Sequence, residues 1–228
     1  MLSSRTLTPA LAALVVLGTA SASHAQNIPV QNFSFESPAV GTNPGFTTNV
    51  IPGWTGGGGA GYGVQSLAAG PPLFPNGIPD GAQYAYVNAG YIFQDLGLPL
   101  TAGNTYTLTA YVGARTDNAG ATGKIDLATF TSGSPIAFLA QRGSATSPAG
   151  TFTKYTTTFT ATNAQAGQDF GIVLEDTGSG QVNFDNISLT QTPSVPEAST
   201  TLSFGLLLAL GMGGLVVAAK RKKAQAAL

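Results

Sequence analysis

Nine carboxylates, four cations and a short series of aromatic rings hold whatever chemistry the central part of this 228-residue chain can do. Between residues 26 and 193 the carboxylates are Glu36, Asp80, Asp95, Asp117, Asp126, Asp169, Glu175, Asp176 and Asp185, and the cations are Arg115, Lys124, Arg142 and Lys154. Cysteine is absent and the single histidine, His24, lies in the N-terminal leader. A thiolate nucleophile, a Cys- or His-ligated metal, a His-based triad and a His proton shuttle are therefore excluded. Catalysis would have to rest on carboxylates. Glycoside cleavage needs two of them about 5–10 Å apart, and neighbours such as Glu175 and Asp176 point to opposite faces of a strand. The run Gly56-Gly57-Gly58-Gly59 is followed by no Lys-Ser/Thr pair, so it reads as a flexible loop rather than a phosphate cradle. On these grounds the chain is expected not to be an enzyme.

The rings suggest binding instead. Sugars stack their C–H faces on aromatic side chains and need paired polar groups for their hydroxyls. Trp54, Tyr84, Tyr86 and Tyr91, with Arg115 as a polar partner, are the candidate carbohydrate-binding residues. Tyr84 and Tyr86 share one strand face if Ala85 and Val87 point inward. The competing reading makes these rings packing residues, Trp54 first among them. Four cations against nine anions leave this region at −5, although the whole chain is at −1. That balance argues against a nucleic-acid partner, which needs clustered Lys and Arg, and favours hard cations such as calcium.

Short β elements must position these residues. Tyr106, Leu108, Ala110 and Val112 alternate with Thr105, Thr107, Thr109 and Tyr111, a period of two that buries one set and exposes the Thr-rich set. Phe170, Ile172 and Leu174 repeat the pattern, and no helical stripe appears between the two ends of the chain. Strands are expected near 28–35, 83–88, 91–96, 105–114, 124–131, 136–141, 152–161, 169–175 and 181–190. Two breaks in parity stand out. Val182 and Phe184 oppose Ile187 and Leu189, which calls for a bulge at Asp185 or Asn186, and Ile28 and Val30 oppose Phe33 and Phe35. Residues 43–80 are rich in Pro and Gly and read as long loops with one or two short strands, packed on the sandwich by Trp54 and Phe74.

The two ends read differently. Residues 1–25 have a lone cation, Arg5, a short apolar core and Ser23-His24-Ala25, the layout of a secretory signal peptide cut after Ala25, or alternatively after Ala22. At the other end, residues 201–219 are 19 uncharged residues followed by Lys220-Arg221-Lys222-Lys223. At about 1.5 Å per residue they span roughly 28 Å, enough for one transmembrane helix with a cytoplasmic basic stop. Removing both ends leaves one domain at 26–193, joined by a Pro-containing linker to a tail at 194–228.

Two resemblances follow from these segments. Asn32-Phe33-Ser34-Phe35-Glu36, Ile51-Pro52-Gly53-Trp54, Asp80-Gly81-Ala82-Gln83-Tyr84, Leu100 to Tyr106 and Val182 to Ile187 resemble, in order, the galactose-binding-like jelly rolls of many carbohydrate-binding modules. That resemblance implies an all-β jelly-roll sandwich and a structural calcium ion held by Glu36 and Asp185. The tail resembles the PEP-CTERM sorting signal through Val195, Pro196, Glu197, Ser199 and Thr200, with Ala198 where that pattern has a second proline. It implies processing by signal peptidase and exosortase, transient anchoring in the inner membrane, and delivery to the cell surface or extracellular matrix. A plain single-pass anchor is the alternative. Together these features predict a non-enzymatic exported protein that binds polysaccharide, or else a structural or adhesive matrix protein without specific sugar binding.

Overall fold

The computed structural model describes residues 24–194, apart from 44, 60, 69–71 and 142–143. The leader, the motif Val195 to Thr200, the apolar span 201–219 and the basic end all lie outside the described residues, in which no helix is long and apolar enough to cross a membrane.

The described chain is all-β. Its ten strands are β1 (Gln26–Ile28), β2 (Thr55–Gly57), β3 (Gly61–Ser66), β4 (Gln83–Pro99), β5 (Thr105–Ala114), β6 (Thr122–Thr131), β7 (Ser134–Gln141), β8 (Ala145–Thr146), β9 (Thr151–Thr160) and β10 (Asp169–Thr192). They form one hydrogen-bonded network in which every strand pair is antiparallel. The long strand β10 pairs along most of its length with β4. Its first half, 169–176, has β6 on the other side, and its second half, 183–192, has β5. The network is thus one sheet folded over on itself into a β-sandwich. The first layer runs β3, β4, β10, β5, β9 and the second runs β2, β4, β10, β6, β7.

Glycines and a buried acid make the fold line. The corners fall at Gly58-Gly59 between β2 and β3, at Ala89-Gly90 within β4, and at 177–180 within β10. Gly58, Gly59, Ala89, Gly90 and Gly180 all have φ between 53° and 118°, a region that glycine enters without steric cost. Asp176 ties two corners together, accepting the Ala89 N–H at 2.8 Å and the Gly178 N–H at 3.0 Å. Its burial raises the carboxyl above the ordinary range, opposed by those two hydrogen bonds. Tetraglycine is therefore not a floppy loop. Gly56 and Gly57 belong to β2, where an added Cβ would collide with the rings of Tyr62 and Tyr91, at 2.0 Å and 2.4 Å respectively.

Between the layers lies the main core, built from the inward sets that the sequence pattern predicts: Leu108, Ala110 and Val112, Ile172 and Leu174, Val182 and Phe184, Ala85 and Val87. Burying these side chains, the larger ones worth about 1.5–3 kcal/mol each when fully covered, is the main force holding the layers together. The bulge near Asp185 is present: the β10–β5 register shifts between Asp185 and Ser188, and Asn186 has φ 49°. The other break has a different cause. Strand β1 stops at Ile28, and a turn follows in which Phe35 N–H donates to Asn32 O at 3.1 Å. That turn buries Phe35 and leaves Phe33 45% exposed.

Candidate functional site

The outer face of the first layer gathers most of the polar and aromatic candidates. Because Ala85, Val87, Val112, Val182 and Phe184 point into the core, alternation turns Tyr84 and Tyr86 of β4, Asn183 and Asp185 of β10, and Tyr111 and Gly113 of β5 to the other side. Phe152 and Lys154 of β9 pair with Gly113 and Tyr111 and complete the floor. Residues 72–80 cross one end of this floor. Phe74 packs there against Tyr84 (centroids 5.0 Å apart, edge-on) and Phe152 (4.5 Å), forming a small second core with Leu73.

Beside that core opens a cleft of about 360 Å³, lined by Asn76, Gly77, Ile78, Pro79, Tyr111, Thr151 and Phe152. Its lining combines apolar side chains with a phenol, an amide and the Thr151 hydroxyl, and its volume is in the range of small-molecule sites. Gly113 shapes it: a Cβ there would stand 2.6 Å from Phe152 Cε1, so glycine allows the Phe152 ring to lie across the strand.

At the fold-line end of the same face, Arg115 grips Asp117 with both ends of its guanidinium (2.9 and 2.6 Å) and donates to Gln181 Oε1 at 2.6 Å. This pairing holds the Asp117 carboxyl below its ordinary range. Tyr84 is 1% exposed, and burial pushes its phenol well above the ordinary range despite the opposing field of Arg115. The phenol therefore stays protonated.

The residues proposed from sequence as a sugar platform do not converge. Tyr84 and Arg115 share a field, and Tyr86 lies on the same face with its hydroxyl donated to Thr47 O at 2.5 Å. Trp54 is a core residue, packed on Phe35 at 5.5 Å with its Nε1–H donated to Gln31 O. Tyr91 belongs to the outer face of the second layer, beside Phe93 at 6.1 Å. Sequence reasoning singled out Phe74 as a packing residue, which it is, and missed Phe152 and Asn183. Only tertiary packing distinguishes these from other apolar or amide side chains.

Glu36 and Asp185 do share a neighbourhood. The Asp80 N–H donates to Asp185 Oδ2 at 2.9 Å and the Asn186 N–H to Oδ1 at 2.7 Å, while Ala82 and Gln83 N–H groups donate to Glu36 Oε1 at 2.8 Å each. Burial pushes the Asp185 carboxyl up to about 8, with the Asp80 and Glu36 charges adding to it. Asp185 and Glu36 offer carboxylate oxygens, the donor type that a hard ion such as calcium takes, and in this structure backbone N–H groups bond to them. Among the described residues no three acidic, His or Cys side chains close on one point, so backbone carbonyls would complete the shell.

With that geometry in place, comparison with known proteins is decisive on family. The profile of the HpiC1-like family, described as HpiC1 cyclase, matches residues 26–190. The chain belongs to the HpiC1-like family. An apo-form cyclase from Fischerella sp. has the same fold with a TM-score of 0.64 and 25% identity, over 75% of this chain and 98% of that one. A Stig cyclase, Fisc, from Fischerella sp. TAU, solved with (3Z)-3-(1-methyl-2-pyrrolidinylidene)-3H-indole, gives a TM-score of 0.60 at 24% identity, over 75% and 100%. The xylan-binding CBM22-1 domain of Paenibacillus barcinonensis Xyn10C matches at 0.52 and 14% identity, over 76% and 99%, a likeness of fold alone. No curated protein matches the chain in sequence.

HpiC1-like membership overturns the expectation of a non-enzymatic, carbohydrate-binding protein, since the family is one of cyclases. The elimination from sequence failed for a physical reason. Lack of His and Cys removes thiolate, His-triad and Cys- or His-ligated metal chemistry, but ring closure within one molecule depends first on holding its reacting ends together, and a cleft can do that without either residue.

Proposed function

We propose that this protein is a cyclase, closing a ring within a small aromatic molecule bound in the cleft between residues 76–79 and the outer face of β5 and β9. The supporting observation is the match over residues 26–190 together with an aromatic-lined cleft of about 360 Å³ on that face. The rings of Tyr111 and Phe152 offer stacking surfaces to an aromatic body such as the indole compounds held by the Fischerella cyclases. Apolar walls strip water from the bound molecule, and a folded pose brings its ends within about 3–3.5 Å, which removes much of the entropic barrier to ring closure. The lining has three polar side chains, Tyr111, Asn76 and Thr151; the Thr151 hydroxyl already donates to Pro148 O at 2.7 Å, and the Tyr111 hydroxyl and the Asn76 amide orient the polar end of the substrate. Incubation with a panel of indole-bearing ketones and alkenes, read by chromatography and mass spectrometry, should yield ring-closed products that Phe152→Ala suppresses. Absence of both turnover and binding across the panel would sink this reading.

Calcium belongs to the same proposal as a structural ion. Glu36 and Asp185 would hold it, and it would supply a fixed positive charge that ties the segment 80–83, next to the cleft wall, to β10. Export belongs to it as well. The leader and the tail support secretion through signal peptidase, then exosortase processing after the Val195-Pro196-Glu197 motif has been recognised. On this reading the mature enzyme acts at the cell surface or in the extracellular matrix. Cell fractionation tests this: released protein lacking residues 201–228 is expected, and retention of the intact tail in the inner membrane points to a plain anchor.

A further inference from the structure

Asn183 is fully buried, and its Oδ1 has no hydrogen-bond partner. An unmatched buried acceptor is costly, and the surroundings explain why the amide does not simply turn over. Its Nδ2 faces Gln181 Oε1 at 3.4 Å and Ala85 O at 3.5 Å. Gln181 must present oxygen there, because that same atom accepts from Arg115 Nη1 at 2.6 Å, and Arg115 is in turn locked on Asp117 through two bonds. The chain Asp117–Arg115–Gln181 therefore fixes which end of the Asn183 amide meets Gln181, and it leaves Oδ1 turned away.

Across the sheet Asn183 has Tyr86 on one side and Gly113 on the other. The Tyr86 hydroxyl is already committed to Thr47 O. Gly113 contributes no side chain, and the space above it is filled by the half-buried ring of Phe152, which also lines the cleft. Phe152 thus lines the cleft and also covers Gly113, the neighbour of Asn183 across the sheet.

We infer that Asn183 selects the ligand by accepting a hydrogen bond from an N–H or O–H donor on its aromatic ring, with Phe152 moving aside as the ring enters. This rests on the cyclase reading of the cleft. A donor-bearing ring would satisfy Oδ1 and replace the aromatic cover that Phe152 provides. An otherwise identical ring lacking the donor would leave the acceptor buried and unpaired, the situation in which polar sites discriminate most strongly.

The test uses the purified full chain in detergent and two probes, 4-(1H-indol-3-yl)butan-2-one and its N-methylindole counterpart, with binding measured by calorimetry. Wild-type protein is expected to favour the N–H compound at least about tenfold, and Asn183→Leu should erase the preference without lowering the melting temperature. Arg115→Met, which frees Gln181 and hence the amide, should reduce the same ratio if Asn183→Leu fails to fold. Equal affinity of wild type for both probes overturns the inference and leaves the cyclase reading standing, as does a ratio that survives Asn183→Leu. Binding of neither probe removes the cleft reading and this inference with it.

Discussion

Replacing Gly113 by alanine would put a methyl group where the Phe152 ring now lies. The new Cβ would stand 2.6, 2.7 and 2.9 Å from Cε1, Cζ and Cδ1 of that ring, inside the 3.0 Å that real Cβ atoms keep. Its three nearest atoms all belong to that ring rather than to backbone, so the ring gives way by roughly 1 Å to reach an ordinary contact. It then loses part of its packing on Phe74, 4.5 Å away, and Tyr84, 6.0 Å away, at about 0.5–1.5 kcal/mol for each pair. Alanine returns about 0.5–1 kcal/mol through lower chain entropy in a strand. The net change in stability is about 1 kcal/mol, a fall in melting temperature of roughly 2–4 °C. Ligand binding should suffer far more, because the new methyl group takes up space over residue 113 that the ligand's ring enters when Phe152 moves aside, and about a tenfold loss of affinity for an indole ketone is expected. Thermal unfolding and calorimetric titration of Gly113→Ala, with exposed Thr158→Ala on β9 as control, separate the two effects. An unchanged affinity in a variant that is folded and shifted in melting temperature would refute Phe152 as a wall of the ligand site.

Other expectations follow from the same geometry. Chelation should lower the melting temperature of wild-type protein, and Asp185→Asn should make the melt indifferent to chelator; an unchanged wild-type midpoint rejects the calcium site. Gly171→Ala should be strongly destabilising, by about 3 kcal/mol or more, because its Cβ would meet the Gln94 backbone oxygen at 2.2 Å with the Phe130 ring at 2.7 Å on the other side; a near-native urea midpoint would contradict that packing. For Asp176, burial holds the folded-state carboxyl above its ordinary range, so the folded protein binds that proton more tightly than the unfolded chain. Its contribution is present at low pH and is lost as pH rises through the folded-state value. Urea midpoints of Asp176→Asn relative to wild type should therefore improve as pH rises from about 4 to 7, and a constant difference would show that burial does not control this group.

Alternation made the interior legible. Each inward set in β5, in the second half of β10 and at 170–174 follows from period two, because a strand with one buried face must place apolar residues at every second position. The Asp185 bulge was legible for the same reason: two apolar pairs of opposite parity cannot share a core without an extra residue. For Tyr84 and Tyr86 the sequence left open which face of the strand meets the core; the structure turns Ala85 and Val87 inward, and Tyr84 is buried all the same because residues 72–80, which have no periodicity, cover it. The Gly56–Gly59 run is a loop only at Gly58 and Gly59; Gly56 and Gly57 are strand, and their need for glycine arises from the rings of Tyr62 and Tyr91, which lie over them.

The amino-acid sequence by itself determined the all-β class, the core-facing sets and the limits on nucleophilic and metal-thiolate chemistry, all of which depend on residue type and local spacing. Only the tertiary structure decided where the sheet folds over, because the corners at Gly58-Gly59, Ala89-Gly90 and 177–180 must fall in line across three strand crossings. That alignment sets Phe74, Phe152, Tyr111 and Asn183, drawn from segments up to 109 residues apart, on one face. A cleft and an unmatched acceptor are properties of such packing between distant segments, and no local pattern in the chain encodes them.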